Sequence, residues 1–159
     1  MENNSAISLP RDKCMKCGEE FDILLSFHAG FVNNNGNCFH EFCQSCFRIE
    51  NSELAFSITH KFTCPCCQTY LYEDMQSVDE AIIIGEALMM RNHLSPHLFR
   101  PINTAIADEN LTYIDEMNKE IIVKLEDALR LNPTSVYCLY LLMLSCYEGH
   151  LFVVSRGPS

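Results

Sequence analysis

Four pairs of residues of metal-ligand type lie between positions 14 and 67, and their spacing restricts this chain more than anything else in it. Cys14 and Cys17 form a C-x2-C pair, and Cys38-x-His40 follows after twenty residues. Cys43 and Cys46 form a second C-x2-C pair, and Cys64 and Cys67 a third within Cys64-Pro65-Cys66-Cys67. Two thiolates separated by two residues both reach one tetrahedral zinc from a tight turn, at about 2.3 Å per sulfur. Each pair therefore supplies half a site, and four pairs predict two closed sites with no position left for water. A closed tetrahedral site is structural, whereas a catalytic zinc keeps one position open. The expected cofactors are thus two structural zinc ions, held by Cys14, Cys17, Cys38, His40, Cys43, Cys46, Cys64 and Cys67. No catalytic residue is expected, and a metal hydrolase is disfavoured because no open site remains.

Other readings of the cysteines are ordinary core residues or a disulfide framework. Eight of the ten cysteines lie between Cys14 and Cys67, in a segment poor in aliphatics, where a small core alone gives little stability. A structural zinc supplies an apparent 10–16 kcal/mol or so, which counts as folding energy. Met1 to Pro10 is polar and has no apolar stretch of the signal-peptide kind. An intracellular, reducing location, cytoplasmic or nuclear, is expected, and there clustered cysteines bind metal more often than they pair. The net charge of −10, with no basic block, argues against nucleic acid as a partner.

The ligand order, three cysteines, one histidine, four cysteines, resembles that of the RING finger family. The resemblance rests on Cys14-Met15-Lys16-Cys17, on Cys38-Phe39-His40-Glu41-Phe42-Cys43-Gln44-Ser45-Cys46 and on Phe62-Thr63-Cys64-Pro65-Cys66-Cys67. A PHD finger would place its histidine fifth, and a LIM pattern also fails on order. The resemblance implies a small α+β cross-brace domain in which the pairs interleave. Cys14, Cys17, Cys43 and Cys46 would share one zinc, and Cys38, His40, Cys64 and Cys67 the other. Cys66 is left over, and His28 and His60 fall outside the pattern as loop or surface residues.

Most members of that family are ubiquitin ligases. They dock a ubiquitin-charged conjugating enzyme and hold its thioester in reactive geometry, which is catalysis by positioning. The corresponding docking positions here are Met15, Lys16, Pro65 and Gln68. Lys16 stands where an apolar residue is usual, Glu50 falls near the place of a usual aromatic, and Gln68 replaces a usual basic residue. Phe47 and Phe62 are candidates for replacement contact or for core. The resemblance implies a ubiquitin ligase with a conjugating enzyme as partner. The three departures support a non-enzymatic adaptor as the alternative.

The chain divides into a polar lead-in at 1–12, the zinc region at 13–72 and an α-helical C-terminal region at 73–159. Within the zinc region, Asn33 to Asn37 reads as a turn, and a short helix is expected from about Gln44 to Phe56 with Phe47, Leu54 and Ala55 buried. Beyond it, Ser77 and Glu80 form a capping box ahead of the apolar run Ala81 to Met90, with a break marked by Pro96 and Pro101. A second helix is expected from near Asp108 to Asn132-Pro133. Its core face is Leu111, Ile114, Ile121, Leu125 and Ala128, and its surface pairs are Asp115–Lys119, Glu120–Lys124 and Glu126–Arg130.

From Thr134 to Tyr147, 11 of 14 residues are apolar and none is charged, which predicts a third helix buried on nearly all sides. Ala128 to Pro133 resembles the end of a tetratricopeptide repeat, with Met143 in the repeat's glycine position; a plain helical hairpin is the competing reading. An incomplete repeat implies a protein partner or self-association through these helices. Val136 to Val154 is long enough to span a membrane, but Glu148-Gly149-His150 interrupts it, and membrane insertion is not expected.

Overall fold

The computed structural model describes residues 11–27, 38–52, 62–71, 75–98 and 108–156. The Asn33–Asn37 turn, His28, His60, Leu54, Ala55 and Pro101 lie outside them. The zinc region is built from pieces too short to be stable alone. Strand β1 (Asp12–Lys13) pairs antiparallel with β2 (Glu20–Phe21), and β3 (Leu25–Ser26) with β4 (Glu41–Phe42). Thr63 and Tyr70 form a further antiparallel bridge. Helix α1 spans Gln44–Glu50.

Among these pieces, Phe27, Phe42 and Phe47 stack on one another with ring centroids 5.7–6.1 Å apart, and Phe62 packs tilted against Phe47 at 5.9 Å. Phe42, Phe47 and Phe62 are buried. Both candidates for replacement docking contact, Phe47 and Phe62, are therefore core. Helix α1 is also shorter than expected. Asn51 ends it, with its backbone N–H and its side-chain Nδ2 both donating to Phe47 O. Turning that amide onto the last carbonyls satisfies groups that another helical turn would have used.

Three longer helices follow: α2 (Val78–Leu98), α3 (Asp108–Leu131) and α4 (Val136–Arg156). At the start of α2, Ser77 Oγ accepts from Glu80 N at 3.1 Å, as the capping box predicts. The Glu80 carboxylate then reaches past Ser77 to accept from Gln76 N at 2.7 Å and from Asn132 Nδ2 at 3.0 Å. One buried carboxylate thus ties the start of α2 to the α3–α4 turn. Helix α2 runs through Pro96 to Leu98 instead of breaking before it. Proline removes one N–H donor from the last turn, and the helix stops two residues later.

The contacts fix the relative directions of the helices. Lys124 and Asn132 of α3 and its end meet Glu86 and Glu80 of α2, so α2 and α3 are antiparallel. Cys138 Sγ donates to Leu125 O at 3.2 Å, and Asn118 Nδ2 to Ser145 O at 3.1 Å, so α3 and α4 are antiparallel too. The predicted core face of α3 is buried at Ile114, Ile121, Leu125 and Ala128, joined by Met117, while the Leu111 side chain lies outside the described residues. Of the predicted surface pairs, Asp115–Lys119 forms at 3.1 Å. Lys124 turns instead to Glu86 of α2 at 2.9 Å, and Arg130 to Asp127. Both choices replace a neighbour four residues away with one better placed.

The helix enclosed on nearly all sides is α2. Its Ala81, Ile82, Ile84, Ala87, Leu88, Met89, Met90 and Leu94 are buried in one core shared with Leu24, Leu25 and Phe42 of the zinc region. Gly85 makes the approach feasible, because a Cβ there would lie 2.9 Å from the Phe27 ring and 3.1 Å from Leu25 Cβ. Arg48–Asp79 at 3.0 Å and Asn92 Nδ2–Ser26 Oγ at 3.2 Å tie the same seam.

The expectation for α4 is overturned. Its Tyr137, Cys138, Leu141 and Ser145 are buried against α3 and α2, but Val136, Leu139, Tyr140, Met143 and Tyr147 are exposed. The helix is the outermost of three, so only its inner face is covered among the described residues. No helix there is long and apolar enough to cross a membrane.

Candidate metal centre

The first C-x2-C pair sits at the tip of the β1–β2 hairpin. Within it Cys14 N donates to Glu19 O at 2.9 Å, and Gly18 N to Cys14 O at 2.8 Å. The Cys64–Cys67 pair repeats the arrangement inside the Thr63–Tyr70 bridge. Cys64 N donates to Thr69 O at 2.9 Å, and Gln68 N to Cys64 O at 2.8 Å. The residue after the second cysteine is left-handed in both, Gly18 at φ +81° and Gln68 at φ +61°. The two tips are thus the same knuckle built twice, at the two ends of the zinc region.

The middle pairs come from β4 and α1. Cys43 is the N-cap of α1, and its sulfur accepts from Cys46 N at 3.4 Å, so the helix start fixes both ligands. Cys38 and His40 lie just before β4. The ligand atoms of Cys14, Cys17, Cys43 and Cys46 lie within 4.8 Å of one another, and so do those of Cys38, His40, Cys64 and Cys67. The pairs therefore interleave, first with third and second with fourth.

The separations suit zinc. At about 2.3 Å per sulfur, the edge of a tetrahedron is about 3.8 Å, and a sulfur–nitrogen edge is slightly shorter. Cys14–Cys46 measures 3.8 Å, Cys17–Cys43 4.0 Å, Cys38–Cys67 3.9 Å and Cys38 Sγ–His40 Nδ1 3.8 Å. All donors are soft thiolates apart from one imidazole, a set that selects zinc among the abundant divalent ions. Zinc held here would have all four positions filled by protein and would staple distant segments without activating water.

The backbone is arranged to receive negative sulfur. Burial opposes the charged form of Cys14, but the N–H groups of Cys17, Cys43 and Lys16 converge on its sulfur at 3.3–3.4 Å and bring it down to about 6. Burial is likewise outweighed at Cys67, where the Thr69 hydroxyl lies 3.1 Å from Sγ and the thiol is lowered to about 6. Their neighbours move the other way. Burial and then the adjacent Cys64 and Cys67 sulfurs push Cys38 up to about 12, and burial with the surrounding sulfurs raises Cys46. Each cluster thus has one ready thiolate beside thiols that resist ionising together, a conflict that a divalent cation removes.

The remaining cysteines stay outside. Cys66 belongs to neither cluster, and burial pushes it up to about 11. Cys138 is a buried core residue, and Cys146 is exposed on α4. Of the proposed docking positions, Met15, Lys16 and Gln68 are exposed, whereas Pro65 is buried. Met15 N donates to Glu41 O at 2.9 Å, which fixes the tip of the first knuckle against β4. Gln68 Nε2 donates to Pro65 O at 3.1 Å, so its amide closes its own turn.

Two supporting residues were not foreseen. Asn51 donates to Thr63 O at 3.1 Å and accepts from Thr63 N at 2.9 Å, clamping the end of α1 to the residue before Cys64. An asparagine after a short helical run is a recognisable C-terminal signal, but extending α1 to Phe56 hid it. Thr69, two residues beyond Cys67, carries no signal in the sequence beyond its closeness to a ligand.

Gln68 holds a conformation that favours glycine, as Gly18 shows at the matching place. Gln68→Gly is expected to stabilise the zinc-loaded protein by about 0.5–1 kcal/mol, because the left-handed strain on a Cβ is removed. Denaturant melts of both proteins at matched zinc content check it; an unchanged or lower midpoint would show that the Gln68–Pro65 bond outweighs the strain.

No family model matches the chain, and neither a curated protein nor a solved structure matches it.

Proposed function

We propose that this chain is a RING-type ubiquitin ligase, which recruits a ubiquitin-charged conjugating enzyme to a zinc-stapled platform. The observation that carries this reading is the interleaving of the ligand pairs in the order three cysteines, histidine, four cysteines. The exposed tip at Met15 and Lys16 supplies the mixed apolar and charged contact for the enzyme, and Gln68 lies on the other knuckle. The platform contributes geometry and no nucleophile, in keeping with two closed sites. The site is intracellular in this reading, and the helices carry the substrate or a protein partner.

A second reading is a non-enzymatic adaptor. It is favoured by the commitment of the Gln68 amide to Pro65 O and by the burial of Phe47, Phe62 and Pro65, which removes three of the apolar candidates for docking. Discharge of charged conjugating enzymes onto free lysine separates the two. A ligase accelerates discharge, and Met15→Ala, which leaves both clusters intact, slows it by about tenfold, as expected when an interface anchor is truncated. Protein verified to hold two zinc ions that accelerates no enzyme of a broad panel is an adaptor.

A further inference from the structure

The outer face of α4 carries exposed apolar residues whose spacing is the same in both directions. Val136, Tyr140, Met143 and Tyr147 are 73%, 46%, 71% and 59% exposed, and Leu139 beside them is 41% exposed. Val136 and Tyr147 lie equally far from the middle of this stripe, and so do Tyr140 and Met143. Leu139 has its counterpart in half-buried Leu144. A second α4 laid antiparallel therefore sets Val136 against Tyr147 and Tyr140 against Met143. Each contact joins an aromatic ring to an aliphatic or thioether side chain, and methionine sulfur against a ring is a favourable pairing. A parallel arrangement would set like against like and align the helix dipoles.

We propose that this face joins two copies of the chain in a two-fold antiparallel α4–α4 interface. Charge supports a second copy as the occupant. The protein carries a net charge of −10, yet the stripe has no charged residue. Glu148, the first acid after it, is turned inward to Arg91, with 11% of its side chain exposed. Copies that repel elsewhere meet here without an unpaired charge. The exposures amount to roughly 550 Å² per copy for side chains of these sizes. A pair then buries up to about 1,100 Å², at the ~1,000 Å² threshold of a biological interface and below the size of a standard one. Two-fold closure uses the same patch on both copies and leaves none of it open.

The test is sedimentation of the full, zinc-loaded chain across micromolar concentrations. A monomer–dimer equilibrium is expected. Met143→Glu, at an exposed position, is expected to weaken it at least about 100-fold through paired like charges near the axis, with helicity and zinc content unchanged. Mixing Met143→Glu with Met143→Lys is expected to restore a heterodimer, which a folding defect would not do. Exposed Cys146 reads the orientation: antiparallel helices hold the two copies about 13 Å apart along the axis, so no Cys146–Cys146 disulfide forms on mild oxidation. A chain that stays monomeric, a dimer indifferent to Met143→Glu, or ready Cys146 cross-linking would overturn the proposal.

Discussion

Chelation of zinc is expected to unfold the segments 11–27, 38–52 and 62–71 and to loosen α2 with them. Structural zinc contributes an apparent 10–16 kcal/mol or so per site, and the strands it joins are two residues long. Without metal, the four-phenylalanine cluster would have no framework to hold it. The effect passes to α2 because Leu25 and Phe27 are the surface against which Gly85 packs. Amides of α2 are therefore expected to exchange at least about 100-fold faster after chelation. Native mass spectrometry would follow the loss of two ions while hydrogen exchange reports on α2. Cys43→Ser is the milder version, removing one ligand that is also the cap of α1. Full protection of α2 in metal-free protein would mean that the helices fold independently of the zinc region.

The second large effect lies at the Arg91–Glu148 pair, which joins α2 to α4. The guanidinium donates to Glu148 Oε1 at 2.7 Å and Oε2 at 3.2 Å, and also to Ser145 Oγ at 3.1 Å. The two side chains are 9% and 11% exposed. Arg91→Leu is expected to lower stability by about 3–5 kcal/mol, since it leaves a carboxylate buried without its cation. Replacing both residues by leucine is expected to recover most of that loss, because the desolvation penalty disappears with the charges. Denaturant unfolding of the zinc-loaded single and double variants measures the coupling. Additive losses would show that the pair acts through packing and not through charge.

The zinc clusters were legible because ligand spacing is a short-range property. A C-x2-C pair must turn tightly, whereas the interleaving of the four pairs came from the resemblance in ligand order. The core face of α3 was legible for the same reason, since its period is local. Which apolar helix ends up enclosed is not local. Helices α2 and α4 are both rich in aliphatics, and only tertiary position decides between them. α2 lies between the zinc region and α3, and α4 lies at the outside. The partner of Lys124 was hidden likewise, because Glu86 is distant in sequence and close only after α2 and α3 pack. Glu80 was legible as a cap, but its bond to Asn132 depends on the same packing.

The position of α2 also bears on how the protein is made. The helix is wedged between a part of the chain that precedes it and a part that follows it. Synthesis proceeds from the N-terminal side at about 5–20 residues per second, so all eight ligands emerge before α2 does. With zinc bound at that stage, the region would offer a seat for one side of the newborn helix. Its other side stays apolar and exposed until α3 arrives to cover it.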